Sequence, residues 1–160
     1  QSEVTYKQAP HLFRNIGNAK FVDVANQNTE LMEPIVGRGA AYGDIDNDGD
    51  WDLVVTNCNG HPRLFRNDRE TPHSWIKIKL IGKKSNRDGI GSRVKVTTES
   101  GFQLRTLRSG SSYCSQSELS IIFGLGNDRH IRQIEINWPS GLVTSLTEVT
   151  LNQLITIEEN

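Results

Sequence analysis

The sequence predicts an all-β protein in two parts: a propeller-type β repeat over residues 1–72, packed against a small antiparallel β-sandwich or barrel over residues 73–160. Three observations predict it. A dense acidic loop with a glycine at its bend lies between two short β-like segments. The tetrapeptide Leu12-Phe13-Arg14-Asn15 recurs as Leu64-Phe65-Arg66-Asn67, an interval of 52 residues that matches the length of a propeller blade. From Trp75 onward, short runs of alternating apolar and polar residues follow one another, with turn residues between them.

Taken in order, the first tetrapeptide ends a strand and Phe21-Val22-Asp23-Val24 reads as another. The polar Asn26-Gln27-Asn28-Thr29 follows as a loop. Gly37-Arg38-Gly39-Ala40-Ala41-Tyr42-Gly43 is too rich in glycine for a helix, and Leu53-Val54-Val55-Thr56 is β-branched and short, as a buried strand is. The second tetrapeptide ends a further strand. One and a half blades cannot close a ring. Either more blades precede Gln1, or the repeat packs on the second part and covers its strand edges there.

Between these strands, Asp44-Ile45-Asp46-Asn47-Asp48-Gly49-Asp50-Trp51-Asp52 crowds five carboxylates into nine residues. Such repulsion destabilises a fold unless a hard cation is among the charges. The spacing suits Ca²⁺, with side-chain oxygens from Asp44, Asp46, Asp48 and Asp52 and the backbone carbonyl of Asp50. Gly49 supplies the bend, where φ > 0 is usual and a residue without Cβ adopts it cheaply. This is not an EF-hand, because Val55 stands where a bidentate Glu is needed and the flanks are not helical. All the donors are hard oxygens with no His or Cys nearby, which disfavours a transition metal. The alternative is a solvated acidic turn held by Asx hydrogen bonds.

In the second part, Ile76, Ile78 and Leu80 alternate with Lys77 and Lys79, Val94 and Val96 with Arg93 and Lys95, and Ile134, Ile136 and Trp138 with Gln133, Glu135 and Asn137. One face is therefore dry and the other wet. Phe102–Leu107, Leu119–Phe123, Leu142–Leu146 and Leu154–Ile157 complete about seven strands.

The composition suits a loop-rich β protein, with 35% hydrophobic residues and a mean hydropathy of −0.50. No apolar run approaches the roughly 20 residues of a membrane-spanning helix, and the first residues lack a signal-peptide pattern, so the start reads as a mature end or a boundary. The net charge of −1 divides into −4 up to Thr71 and +3 from Pro72 on, a polarity that favours docking of the two parts or merely reflects wet faces. Cys58 and Cys114 fall one in each part. A bridge would staple the parts together, but two unpaired, partly buried thiols are the preferred reading, since a bridge also needs Cα atoms within roughly 7 Å; with no CxxC motif, neither a zinc ribbon nor a redox pair is supported.

Catalytic signatures are missing. Ser109-Gly110-Ser111-Ser112 and Pro139-Ser140-Gly141 do not make a nucleophile elbow, Gly82-Lys83-Lys84-Ser85 lacks the upstream Gly of a phosphate loop, and His11, His61, His73 and His130 are scattered. Lys77, Lys79, Lys83, Lys84, Arg87 and Arg93 form a basic opening to the second part that suits acidic polysaccharide or a solvated face. Nucleic acid is disfavoured, because Trp75 and Trp138 fall on predicted apolar faces rather than where bases could stack.

Gly43, the Asp44–Asp52 loop and the Leu-Phe-Arg-Asn tail resemble the FG-GAP/VCBS repeat. Asn86–Val94, Gly110 through Ser115-Gln116, Phe123-Gly124-Leu125-Gly126 and Trp138-Pro139-Ser140-Gly141 resemble the ASPIC/UnbV domain at the carboxyl end of cartilage-acidic-protein-like chains. The resemblance implies a calcium-stabilised, non-catalytic adhesion or scaffold protein that is secreted, at the cell surface or periplasmic. It places a metal role on Asp44, Asp46, Asp48, Asp50 and Asp52, with a protein or glycan partner at the surface or matrix. Cys114 stands where the resemblance leads one to expect an apolar residue, and a buried thiol fits there. The alternative functions are an acidic-glycan-binding module and, suggested by the UnbV resemblance alone, an accessory enzyme of secondary metabolism.

Overall fold

The computed structural model describes residues 6–27, 30–68 and 72–160, and every regular element in them except one 3₁₀ turn at Ala25–Gln27 is a β-strand. The chain start, Asn28-Thr29 of the anticipated polar loop, and Thr71 at the anticipated charge boundary lie outside the described residues. No helix among the described residues is long and apolar enough to cross a membrane.

Among the described residues, twelve strands form four sheets. β1 (Phe13–Asn15) and β2 (Phe21–Asp23) make a hairpin, and β3 (Gly37–Gly43), β4 (Asp52–Asn57) and β5 (Arg63–Phe65) make an antiparallel meander. In the second half, β12 (Leu154–Glu158), β6 (Ser74–Ile81) and β9 (Ser120–Gly126) form one sheet in that order. The other has the order β11 (Val143–Leu146), β10 (Ile131–Asn137), β7 (Arg93–Thr98) and β8 (Phe102–Thr106).

Inward-facing residues of these last two sheets share one core. Ile76, Ile78, Leu80, Phe123 and Ile157 come from one sheet, and Val94, Val96, Ile134, Ile136 and the following Trp138 from the other. The alternation read from the sequence is what builds this core, because residues two apart along a strand share a face. All seven strands anticipated after Trp75 are present. One pairing departs from the antiparallel expectation: β12 runs parallel to β6, from Leu154 beside Lys77 to Glu158 beside Ile81. The strand returns to β6 after the chain has crossed both sheets, so no hairpin fixes its direction.

The carboxyl end is anchored by Glu159. Its side chain is fully buried and accepts hydrogen bonds from the amides of Lys83, Lys84 and Ser85 and from the hydroxyls of Ser85 and Ser140. The Gly82-Lys83-Lys84-Ser85 turn is thus an anion nest filled by the chain's own carboxylate. Burial alone pushes the Glu159 pKa up, but the Ser140 hydroxyl and the amides outweigh it and bring it down to about 2.

The first half leans on the second through the open edge of β3. Ala40 N donates to Ser112 Oγ, Tyr42 N to Ser117 Oγ, and Glu118 N to the Tyr42 carbonyl. The segment 112–118 thereby covers a strand edge that would otherwise present unpaired backbone groups. Gly39 makes the approach possible, since a Cβ there would lie 2.4 Å from Ser115 Oγ and 2.7 Å from the Tyr113 carbonyl. The first half thus packs on the second along this edge. The strand read as buried, Leu53–Thr56, is only half covered, because a three-stranded sheet with one dressed edge has no second layer over most of it.

Lys77 also departs from the sequence reading. It belongs to the wet row of β6, yet its side chain is only 2% exposed, and its ammonium donates to Asp44 Oδ2 at 3.1 Å and Glu118 Oε1 at 2.8 Å. At Trp75 and Lys77 that row faces the first half, while Lys79 farther along the strand stays exposed. Glu118 Oε2 accepts the Asp44 amide, and Glu118 Oε1 also accepts the Ser120 hydroxyl, so the three charges form one closed network. Burial alone would raise the Glu118 pKa, but the hydrogen bond from Lys77 and the others outweigh it and hold it below the usual range.

Trp75, assigned to an apolar face, is likewise turned toward the first half and lies against Gly49. The two cysteines are free and both exposed, not partly buried. Cys114 is in a tight turn with φ 47°, closed by the Ser112–Ser115 bridge, and such a turn projects its side chain outward.

Two outcomes are expected. Lys77→Met leaves Asp44 buried without its partner and lowers unfolding stability by about 3–5 kcal/mol in denaturant titration. A loss below about 1 kcal/mol would show that the network does not hold the halves together. Because the Glu159 pKa is depressed on folding, its contribution is complete above the unfolded value near 4.5 and is lost as pH falls toward about 2. Melting temperature should therefore drop across that window, and Glu159→Gln should flatten the drop while lowering stability at neutral pH.

Candidate metal centre

Sequence and backbone cooperate to fold the acidic loop between β3 and β4. Asp44 ends the approach from β3, and its Oδ1 accepts the Asp48 amide at 3.1 Å, while Asp48 Oδ1 accepts the Asp50 amide at 2.9 Å. Asn47 and Gly49 both take positive φ, 62° and 94°, which folds the chain back on itself. Gly49 is required twice over: a Cβ would strain its backbone and would lie 2.2 Å from the Trp75 ring. The bend read from the sequence is present, and its second reason, the indole packed on it, comes from the other half of the chain.

Carboxylate oxygens of Asp44, Asp46 and Asp48 lie within 4.8 Å of one another. Oxygens that ligate one calcium at about 2.4 Å can stand no more than about 4.8 Å apart, so the trio is close enough for one ion to reach all three. Asp44 is buried, whereas Asp46 and Asp48 are exposed, so the cluster has a fixed floor and an open mouth. A cleft of about 1270 Å³, lined among others by Asp48, Asp50, Arg66 and Trp75, gives solvent access to that mouth.

The remaining two aspartates are placed differently. Asp52 is 2% exposed, and its two oxygens accept the amides of Ile45 and Asn67, so it ties both ends of the loop to the second Leu-Phe-Arg-Asn copy. Asp50 lies outside the close trio. Burial, then the charges of Asp48, Asp44, Asp52 and Asp46, raise its pKa above the ordinary carboxylate value. The cluster is therefore a region of strongly negative potential, moderated on one side by Lys77 and at its rim by Arg66, whose Nε is 3.9 Å from Asp46.

Two participants escape sequence reasoning. Glu118, which orients the Asp44 amide, is 74 residues away and follows no recognisable spacing. Lys77 is concealed by a pattern that assigns it to solvent. A lysine directly between two isoleucines is a common surface motif, and only the docking of the first half changes its meaning.

Comparison with known proteins addresses the second half and, in the longer matches, part of the first. Residues 82–160 match the family described as ASPIC and UnbV. Cartilage acidic protein 1 of Mus musculus and of Homo sapiens are each 29% identical to this chain over 113 residues, covering 68% of the chain. The match takes in 17% of each of those relatives, so this chain spans a small part of their length. The family match begins just past β6, although β6 is the central strand between β9 and β12. The strands from the Glu159-binding turn to the carboxyl end, residues 82–160, thus constitute an ASPIC/UnbV domain.

Proposed function

We propose that this chain is a calcium-stabilised, non-catalytic scaffold or adhesion module of the cell exterior, in which the ion closes the acidic loop and holds the β3–β5 meander in shape. The observation that supports it most is the Asp44, Asp46, Asp48 cluster, whose oxygens are close enough together for one calcium ion to reach all three. Asp44, Asp46 and Asp48 supply side-chain ligands and Asp50 its carbonyl. Asp52, with lone pairs to spare beyond its two amide bonds, completes the set. In chemical terms the ion neutralises the crowded carboxylates and crosslinks positions 44 to 52. A shell filled by protein oxygens leaves little room for a substrate, which favours a structural over a catalytic role.

The same reading takes residues 1–72 as an FG-GAP-type repeat within a larger β assembly and residues 73–160 as the unit that caps it. Its support is the meander with the acidic loop at its first turn, and the placement of the two tetrapeptide copies on β1 and β5. The hairpin of β1 and β2 leaves Phe13, Phe21 and Val22 exposed, as a strand pair does when its neighbour is not part of the chain. A location outside the cytoplasm accords with calcium binding at extracellular concentrations and with relatives named for cartilage.

Calorimetric titration with calcium should give a dissociation constant of about 10⁻⁴–10⁻³ M. At 10 mM calcium the folded state should gain about 1–3 kcal/mol over the same protein in EDTA, visible as a rise in melting temperature. Asp48→Ala should abolish the rise and Asp50→Ala should leave most of it. Asp44→Ala is the less informative variant, since it also strands Lys77 in the interior and lowers stability in EDTA too. Coincident melts in calcium and EDTA would refute the proposal.

A further inference from the structure

A second cavity, of about 460 Å³, opens at the seam between the two halves, a size within the usual range for small-ligand sites. The first half contributes Tyr42, at the end of β3, and Trp51, just before β4. Their rings meet edge to face with centroids 5.0 Å apart at 65°. The second half contributes Arg105 on β8 and Arg108 and Ser111 shortly after it.

The arginines distinguish this cavity from an ordinary crevice. Arg105, itself exposed, holds its guanidinium 5.5 Å from the centroid of the buried Phe123 ring, a contact that favours this position of the fork. Among the described residues, neither Arg105 nor Arg108 forms an ion pair with a carboxylate. The one carboxylate in the wall, Glu118, is already engaged by Lys77, Ser120 and the Asp44 amide. Two guanidiniums therefore face a cavity without a counter-ion, beside a pair of aromatic rings and a hydroxyl.

We infer that this seam cavity binds an anionic saccharide, one or two sugar rings bearing carboxylate or sulfate groups. The guanidiniums pair with the anionic substituents in bidentate fashion, and the aromatic pair receives the apolar face of a pyranose ring. A nucleic acid fits less well. It needs a basic track along its backbone, whereas Lys83 and Lys84 lie at the Glu159 turn, outside this cavity, and the chain carries a net charge of −1. The inference deepens the glycan reading of the sequence but moves its site: the basic row once anchored on Lys77 is broken, because that lysine is buried. It does not require an ion in the acidic loop.

Titration calorimetry on the whole chain tests it, with a heparin hexasaccharide, a hexagalacturonate and neutral cellohexaose as probes, each in calcium and in EDTA. The two acidic sugars separate sulfate from carboxylate recognition, and one or both should bind while cellohexaose does not. Arg105→Ala and Arg108→Ala should each weaken binding by about tenfold, with melting curves confirming that both variants fold. The pair Lys83→Ala, Lys84→Ala should leave it unchanged. Equal loss in that lysine pair, equal binding of cellohexaose, or tighter binding of a single-stranded DNA 12-mer or a phosphoserine peptide would overturn the inference. Because binding and the calcium-dependent melt are read separately, failure of one does not count as failure of the other.

Discussion

A single buried ammonium determines how this molecule is put together. Lys77 reaches from β6 into the first half and finds Asp44 and Glu118, with almost no water around its charge. A charge removed from water is costly unless it is paired and hydrogen-bonded on all sides, so the position specifies its surroundings. Asp44 must begin the acidic loop there, Glu118 must leave the 112–118 segment there, and the edge of β3 must lie between them. The floor of the acidic cluster, the covered edge and the seam cavity are all consequences of that docking.

The same network gives the acidic loop an asymmetry. On its floor, Asp44 is held by Lys77 and the amide of Asp48; at its mouth, Asp46 and Asp48 are exposed. Half of the cluster is thereby organised in advance, and in the proposed function the ion orders the rest. Trp75 packed on Gly49 supports the bend from outside, as Asp52 does from below by holding Ile45 and Asn67. In this way the second half of the chain braces a loop that belongs entirely to the first.

Much of this is legible from the residues alone. Alternation locates the inward rows of Ile76, Ile78 and Leu80 and of Ile134, Ile136 and Trp138, because period two is a property of the strand itself. Five aspartates around a glycine announce a bend and a concentration of charge, and the bend is found with Gly49 at positive φ. What stays hidden is whatever depends on a second surface. Alternation says that Lys77 faces away from Ile76, but not that a protein surface waits on that side. It cannot show that β12 joins β6 in parallel, or that the glycine-rich β3 is thin so that Ser115 and Tyr113 can pass close by. The exposure of Cys58 and Cys114 belongs to the same class, since sequence gives their chemistry and not their surroundings.

The account rests on an ion that closes a loop already braced from one side. Amide hydrogen exchange with and without calcium probes that claim most directly, residue by residue. The account expects the amides of residues 44–52 to gain protection on adding calcium, while those of β6 and β9 stay as they are. Unchanged exchange across the loop in saturating calcium, or protection gained uniformly over the whole chain, would contradict it.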